Sequence, residues 1–121
     1  MRKRTPPCPM YPRWTTSVFW SFIRSGLRAK FTRWPPKYEL YNDDRRTVVG
    51  QRHKYEYQCA VCLEWFKMKE VEVDHIVKCG SLKKYEDLHG FVERLFVPKN
   101  KLQLICKPCH KAKTKLDREL T

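Results

Sequence analysis

The sequence predicts an α+β fold, a small unit of short strands and helices preceded by a basic helical extension. Three observations predict it. Two Cys-x-x-Cys pairs, Cys59/Cys62 and Cys106/Cys109, are separated by 43 residues. Residues 55–58 and 70–75 alternate side-chain character as strands do, and 102–105 form a third short strand-like run. Longer stretches repeat apolar residues every three or four positions, the period of a helix with one buried face. The chain has 121 residues, the size of one domain. Its 41% hydrophobic and 13% aromatic content supports a packed core and excludes full disorder.

Taken in order, residues 1–13 hold four prolines and four basic residues and read as an extended, flexible arm. A helix is expected over 16–31. Thr15, Thr16 and Ser17 offer N-caps, and Phe19, Ile23, Leu27 and Phe31 recur every four residues as a buried stripe. Ser17, Ser21, Arg24 and Arg28 share another face, a cationic one. Arg28, Lys30 and Arg33 near its C-terminus complement the helix dipole. Pro35-Pro36 ends that helix and starts another, expected over 36–46. Residues 50–54 read as a linker. The strand over 55–58 runs into Cys59, and 70–75 forms the next strand. A helix is expected over 81–96, with Leu88, Phe91, Val92, Leu95 and Phe96 on its apolar side and Gly90 weakening it. The strand over 102–105 runs into Cys106. A last helix, from Pro108 or Cys109 to Leu120, spaces Ala112, Leu116 and Leu120 four apart. The linear division is an arm (1–13), a basic helical extension (14–54) and a zinc-bearing core (55–121).

Charge narrows the partner. Lys and Arg number 26 against 13 Asp and Glu, a net charge of +13. Residues 1–54 hold 13 basic and 3 acidic residues, so +10 of that charge lies in the first half. Such an excess predicts a polyanion, nucleic acid first. No apolar run approaches the ~18 residues of a membrane span. The longest, 18–23, is interrupted by Ser21 and is too short for a secretion signal. The chain therefore reads as cytoplasmic. Without a secretory context, paired Cys-x-x-Cys reads as a tetrahedral zinc site rather than disulfides, because each two-residue spacer lets one tight turn present two thiolates to one ion. Cys8 and Cys79 fall outside that spacing and read as free thiols.

The order of these features carries a resemblance. A Cys-x-x-Cys knuckle precedes Val73-Asp74-His75-Ile76; then Leu102-Gln103-Leu104-Ile105 enters Cys106-Lys107-Pro108-Cys109-His110, followed by Lys113-Thr114. This resembles the HNH nuclease family, specifically the small zinc-stabilised HNH endonucleases of bacteriophages. The stretches 27–38 (LRAKFTRWPPKY) and 91–96 (FVERLF) are similar to that group too. The resemblance implies a treble-clef-like ββα-metal core with one structural Zn²⁺ on Cys59, Cys62, Cys106 and Cys109. It implies His75 as general base, with Asp74 and His110 holding a catalytic ion such as Mg²⁺, Mn²⁺ or Ni²⁺. One departure stands out: the family's middle Asn position holds Lys101, with Asn100 one residue earlier, so either residue is a candidate loop brace. Expected DNA contacts are Arg24, Arg28, Lys30 and Arg33 in the extension and Lys111, Lys113 and Lys115 in the last helix. The implied activity is phosphodiester hydrolysis in DNA, with low sequence specificity or nicking, by a phage protein in the bacterial host cytoplasm. Its rivals are a non-catalytic zinc-finger DNA-binding module and a packaging accessory acting with the phage terminase. Monomer and dimer are both compatible with the sequence.

Overall fold

The computed structural model describes residues 5–119. Its elements run β1 (Pro7–Cys8), β2 (Tyr11–Thr15), α1 (Thr16–Phe31), α2 (Pro35–Asp43), β3 (Arg46–Thr47), β4 (Tyr55–Gln58), β5 (Trp65–Phe66), β6 (Val71–His75), α3 (Tyr85–Leu95), β7 (Leu102–Cys106) and α4 (Lys107–Glu119). Among the described residues these make a mixed α and β fold with four α-helices and three small sheets, ordered β1-β2, β3-β4-β5 and β6-β7. None of the described helices is long and apolar enough to cross a membrane.

The chain divides into two units, and not at residue 54. One unit comprises the residues up to Trp34 together with 77–96; the other comprises 35–76 together with 97 onward. The physical reason lies in which faces need covering. The apolar side of α3 is covered by α1, whereas β3, which lies within the expected basic extension, pairs with β4.

In the first unit the Thr15 hydroxyl accepts from the Val18 N–H at 3.3 Å and starts α1. The stripe Phe19, Ile23, Leu27 and Phe31 then packs on buried Trp20, Cys79, Leu82, Phe91 and Leu95. The Phe96 ring meets Trp34 edge-on at 5.3 Å. The expected flexible arm is ordered over its described part: β1 and β2 pair antiparallel, and the Thr16 N–H donates to the Pro6 carbonyl at 2.8 Å. Trp14 supplies the anchor, with its ring edge-on to Tyr11 at 5.6 Å and to Phe22 at 5.3 Å. Residues 1–4 of that arm lie outside the described residues. The α3 helix starts later than expected because 81–84 stay non-helical, with the Lys83 N–H donating to Asp87 Oδ2 at 3.0 Å. Gly90 sits mid-helix for a packing reason. A Cβ there would lie 2.7 Å from Arg94 Nη1, and Arg94 Nε donates to the Cys79 carbonyl at 2.7 Å.

In the second unit β4 is the middle strand of its sheet. The Arg46 side chain bonds Glu56 across β3 and β4 at 2.6 Å, and its guanidinium lies 4.3 Å from the Trp65 ring centroid. The expected linker closes a hairpin, in which the Val48 N–H donates to the Lys54 carbonyl at 2.8 Å. Strands β6 and β7 pair antiparallel with Val71 opposite Cys106, Asp74 opposite Gln103 and His75 opposite Leu102. Helix α4 follows β7 without a break and packs on both strands. Its expected apolar stripe is not buried: Ala112 and Leu116 are exposed, and Cys109, His110, Lys113 and Asp117 are the half-covered residues. Leu120 lies outside the described residues.

Candidate metal centre and active site

The first Cys pair is shaped by a tight turn between β4 and β5. The Cys59 N–H donates to the Glu64 carbonyl at 2.9 Å, and the Leu63 N–H donates back to the Cys59 carbonyl at 3.0 Å. Leu63 closes this turn at φ 64°, in the left-handed region. The second pair straddles the junction of β7 and α4, so strand pairing and helix start fix Cys106 and Cys109. The Ala60 N–H donates to the Leu104 carbonyl at 2.8 Å and ties the turn to β7.

These elements bring the sulfurs of Cys59, Cys62, Cys106 and Cys109 within 4.8 Å of one another. Cys62 Sγ and Cys106 Sγ are 3.9 Å apart. Zn–S bonds of about 2.3 Å place tetrahedral sulfurs about 3.8 Å apart, so the spacing suits one ion such as zinc. Burial would raise the Cys59 thiol, but N–H groups of Cys106, Cys62 and Val61 aimed at its sulfur outweigh it and hold it down to about 6. Val61 and Cys62 each donate to that sulfur at 3.4 Å. The neighbouring Cys106, burial and the remaining sulfurs push Cys109 up to about 12. Four thiols this close resist ionising together, and a divalent cation is what relieves that repulsion. Cys8 and Cys79 are buried and stand outside the cluster. Burial raises the Cys79 thiol despite Arg28, Arg24 and Arg94 nearby.

A second cluster forms where α4 covers β6. Asp74 is 7% exposed. Its Oδ2 accepts from Gln103 Nε2 at 2.8 Å and from Lys113 Nζ at 2.5 Å. Lys113 Nζ also donates to the His75 carbonyl at 3.0 Å. That leaves Asp74 Oδ1 facing His110 Nε2 at 3.6 Å, too far for a hydrogen bond. His110 Nδ1 lies 2.6 Å from Glu72 Oε2. A carboxylate only accepts, so this contact puts a proton on Nδ1 and leaves the Nε2 lone pair for another partner. Two donors to one ion with bonds of about 2.1 Å lie at most about 4.2 Å apart, so Asp74 Oδ1 and His110 Nε2 fit a shared divalent cation. The donor chemistry, one carboxylate oxygen and one imidazole nitrogen, suits such a cation as well.

Of the residues singled out in the sequence, the fold thus gathers Asp74, His110 and Lys113. His75 is half-buried at the end of β6, beside Asp74 in the chain. Asn100 and Lys101 lie in a single 3₁₀ turn before β7, where the brace to β6 is backbone, with the Ile76 N–H donating to the Lys101 carbonyl at 3.1 Å. The amide that holds Asp74 belongs to Gln103 instead. Arg24, Arg28 and Lys30 project from α1, with the Arg24 guanidinium 5.7 Å from the Phe91 ring centroid, and Arg33 follows the helix end. Lys111 and Lys115 are exposed on α4, while Lys113 turns inward. Glu72 and Gln103 escaped the sequence reading. The signals were there: Glu72 shares a strand face with Asp74 by the two-residue period, and Gln103 is its cross-strand partner. No protein-family model, curated protein or solved structure matches the chain.

Proposed function

We propose that this protein is an HNH-type endonuclease that hydrolyses DNA phosphodiester bonds with a divalent cation, on a scaffold pinned by zinc at Cys59, Cys62, Cys106 and Cys109. One observation carries the reading: Asp74 Oδ1 and His110 Nε2 stand 3.6 Å apart with His110 Nδ1 committed to Glu72. The antiparallel β6–β7 pair followed by α4 supports it as the strand–strand–helix order the resemblance implies. Asp74 and His110 would hold a Mg²⁺, Mn²⁺ or Ni²⁺ ion, which supplies Lewis-acid stabilisation of the phosphate and the leaving 3′ oxygen when bound. Lys113 and Gln103 fix the Asp74 carboxylate through Oδ2 and keep Oδ1 turned to His110. His75 takes the proton of the water that attacks phosphorus. The phosphorus–O3′ bond breaks, the 3′ oxygen is protonated from solvent, and the ends are 5′-phosphate and 3′-hydroxyl.

Supercoiled plasmid incubated with the zinc-loaded chain tests this. Conversion to nicked or linear DNA with Mg²⁺, Mn²⁺ or Ni²⁺, none with EDTA, and loss in His75→Ala with DNA binding retained are expected. Tight DNA binding with no cleavage under any of these metals would instead favour a non-catalytic zinc-finger module.

A further inference from the structure

We infer that the exposed side of α4 is a guide for a nucleic-acid phosphate backbone, carried by Lys107, Lys111, Lys115 and Arg118 and leading to His110. The first three of these are spaced four residues apart and Arg118 follows three later, so at about 100° per residue all four fall within about 80° of one another. They line an open groove of about 790 Å³ together with Glu72 and His110. Lys113 lies outside it, on the face turned to Asp74. The helix thus separates its cations by role. One holds the Asp74 carboxylate, and a row on the other side meets solvent, with His110 at the margin between them.

Charge complementarity selects the occupant. Lysine ammonium groups at successive turns suit an evenly charged polymer and read no base edges. Among the described residues Glu72 is the one carboxylate lining the groove, and its oxygen is already engaged by His110 Nδ1 at 2.6 Å. The strand's destination at His110 rests on the nuclease reading; the row of cations does not.

The zinc-loaded chain titrated with short duplexes of unrelated sequence, across about 50–200 mM salt, tests the inference. Each phosphate contact contributes about 0.9 to the slope of log affinity against log salt on duplex. The variant Lys107→Ala/Lys111→Ala/Lys115→Ala should therefore lose about 2–3 units of slope, equally on every sequence, with unchanged zinc content and melting temperature. A wild-type slope in that variant overturns the guide. So does polyglutamate competing as well as DNA, which would make the partner an acidic protein. A lowered slope in a chain whose wild type never cuts plasmid upholds the guide and removes the nuclease. Cutting by the wild type, with the variant binding and cutting as well, does the reverse.

Discussion

Leu63 shows how a single residue bears the geometry of the four-cysteine cluster. Its φ of 64° lets the chain reverse within Cys59–Glu64, and only glycine adopts that conformation without steric cost. A left-handed non-glycine residue costs about 1–2 kcal/mol, and glycine gives back about 0.5–1 kcal/mol in unfolded-chain entropy. Leu63→Gly should therefore melt at or slightly above the wild-type temperature, although it removes a leucine side chain. That side chain is 62% exposed and has little packing to lose. Leu63→Val should lower stability by more than about 1 kcal/mol, because a branched Cβ suits this region least. A valine variant as stable as wild type in denaturant melts would refute the strain. Glu72 acts at the same scale through its neighbour. Removing the partner of His110 Nδ1 frees the imidazole to turn and to change tautomer. On the proposed reading, Glu72→Ala should weaken divalent-cation affinity at Asp74 and His110 about 10–100-fold. It should also shift the His110 ring-nitrogen resonances in NMR spectra, while zinc content stays constant. Unaltered resonances and affinity would make Glu72 a bystander.

At the scale of elements, helices α1 and α4 explain what the sequence could and could not disclose. Residues 16–31 were legible end to end, because a threonine cap, a four-residue apolar period and a terminating Pro-Pro all favour the same answer. The strands running into Cys59 and Cys106 were legible too, as short strand-like runs ending in a Cys-x-x-Cys turn, whereas β5 after Cys62 was not. Helix α4 was legible as a helix but not in its orientation. Ala112 and Leu116 are spaced four apart, yet both are exposed and the covered side carries His110, Lys113 and Asp117. Lys113 is held there by a carboxylate on β6, a partner 39 positions away that no local period encodes. The polar side of a helix is covered when the neighbouring strand supplies charges to match it. Leu116→Gln should accordingly change stability by no more than about 0.5 kcal/mol. Phe91→Ala, which empties the fully buried centre of the α1–α3 core, should cost about 3–5 kcal/mol. Equal losses in the two variants, read from chemical denaturation, would show that Leu116 faces inward.

At the scale of the whole molecule, two units draw cohesion from different sources. The unit built on α1 and α3 has an apolar core of its own, with Trp20, Leu82, Phe91 and Leu95 buried and none of the four clustered cysteines among them. In the other unit, buried Cys59, Ile105 and Cys106 form a cluster with Phe66 and Cys109 packed against it, so part of the interior is the candidate metal site itself. The linear cut at residue 54 missed this arrangement because 77–96 is inserted between the paired strands β6 and β7, and sequence order does not show which face covers which. Zinc would join ligands from a turn and from a strand–helix junction 44 residues apart, closing a loop that short strands cannot hold by pairing alone. With zinc bound there, its loss would leave crowded thiols and remove several kcal/mol from that unit. A chelator that strips zinc should therefore abolish the fixed environment of Trp65, which lies in β5 beside the first Cys pair. Helical circular dichroism from α1 and α3 should persist in part. Cys106→Ser should reproduce the stripped state without chelator. Phe91→Ala should do the opposite, lowering helical stability while the chain still carries one equivalent of zinc by elemental analysis. A single transition that removes all helical signal on zinc loss would show that the α1–α3 core cannot stand without the metal and would overturn the division of labour.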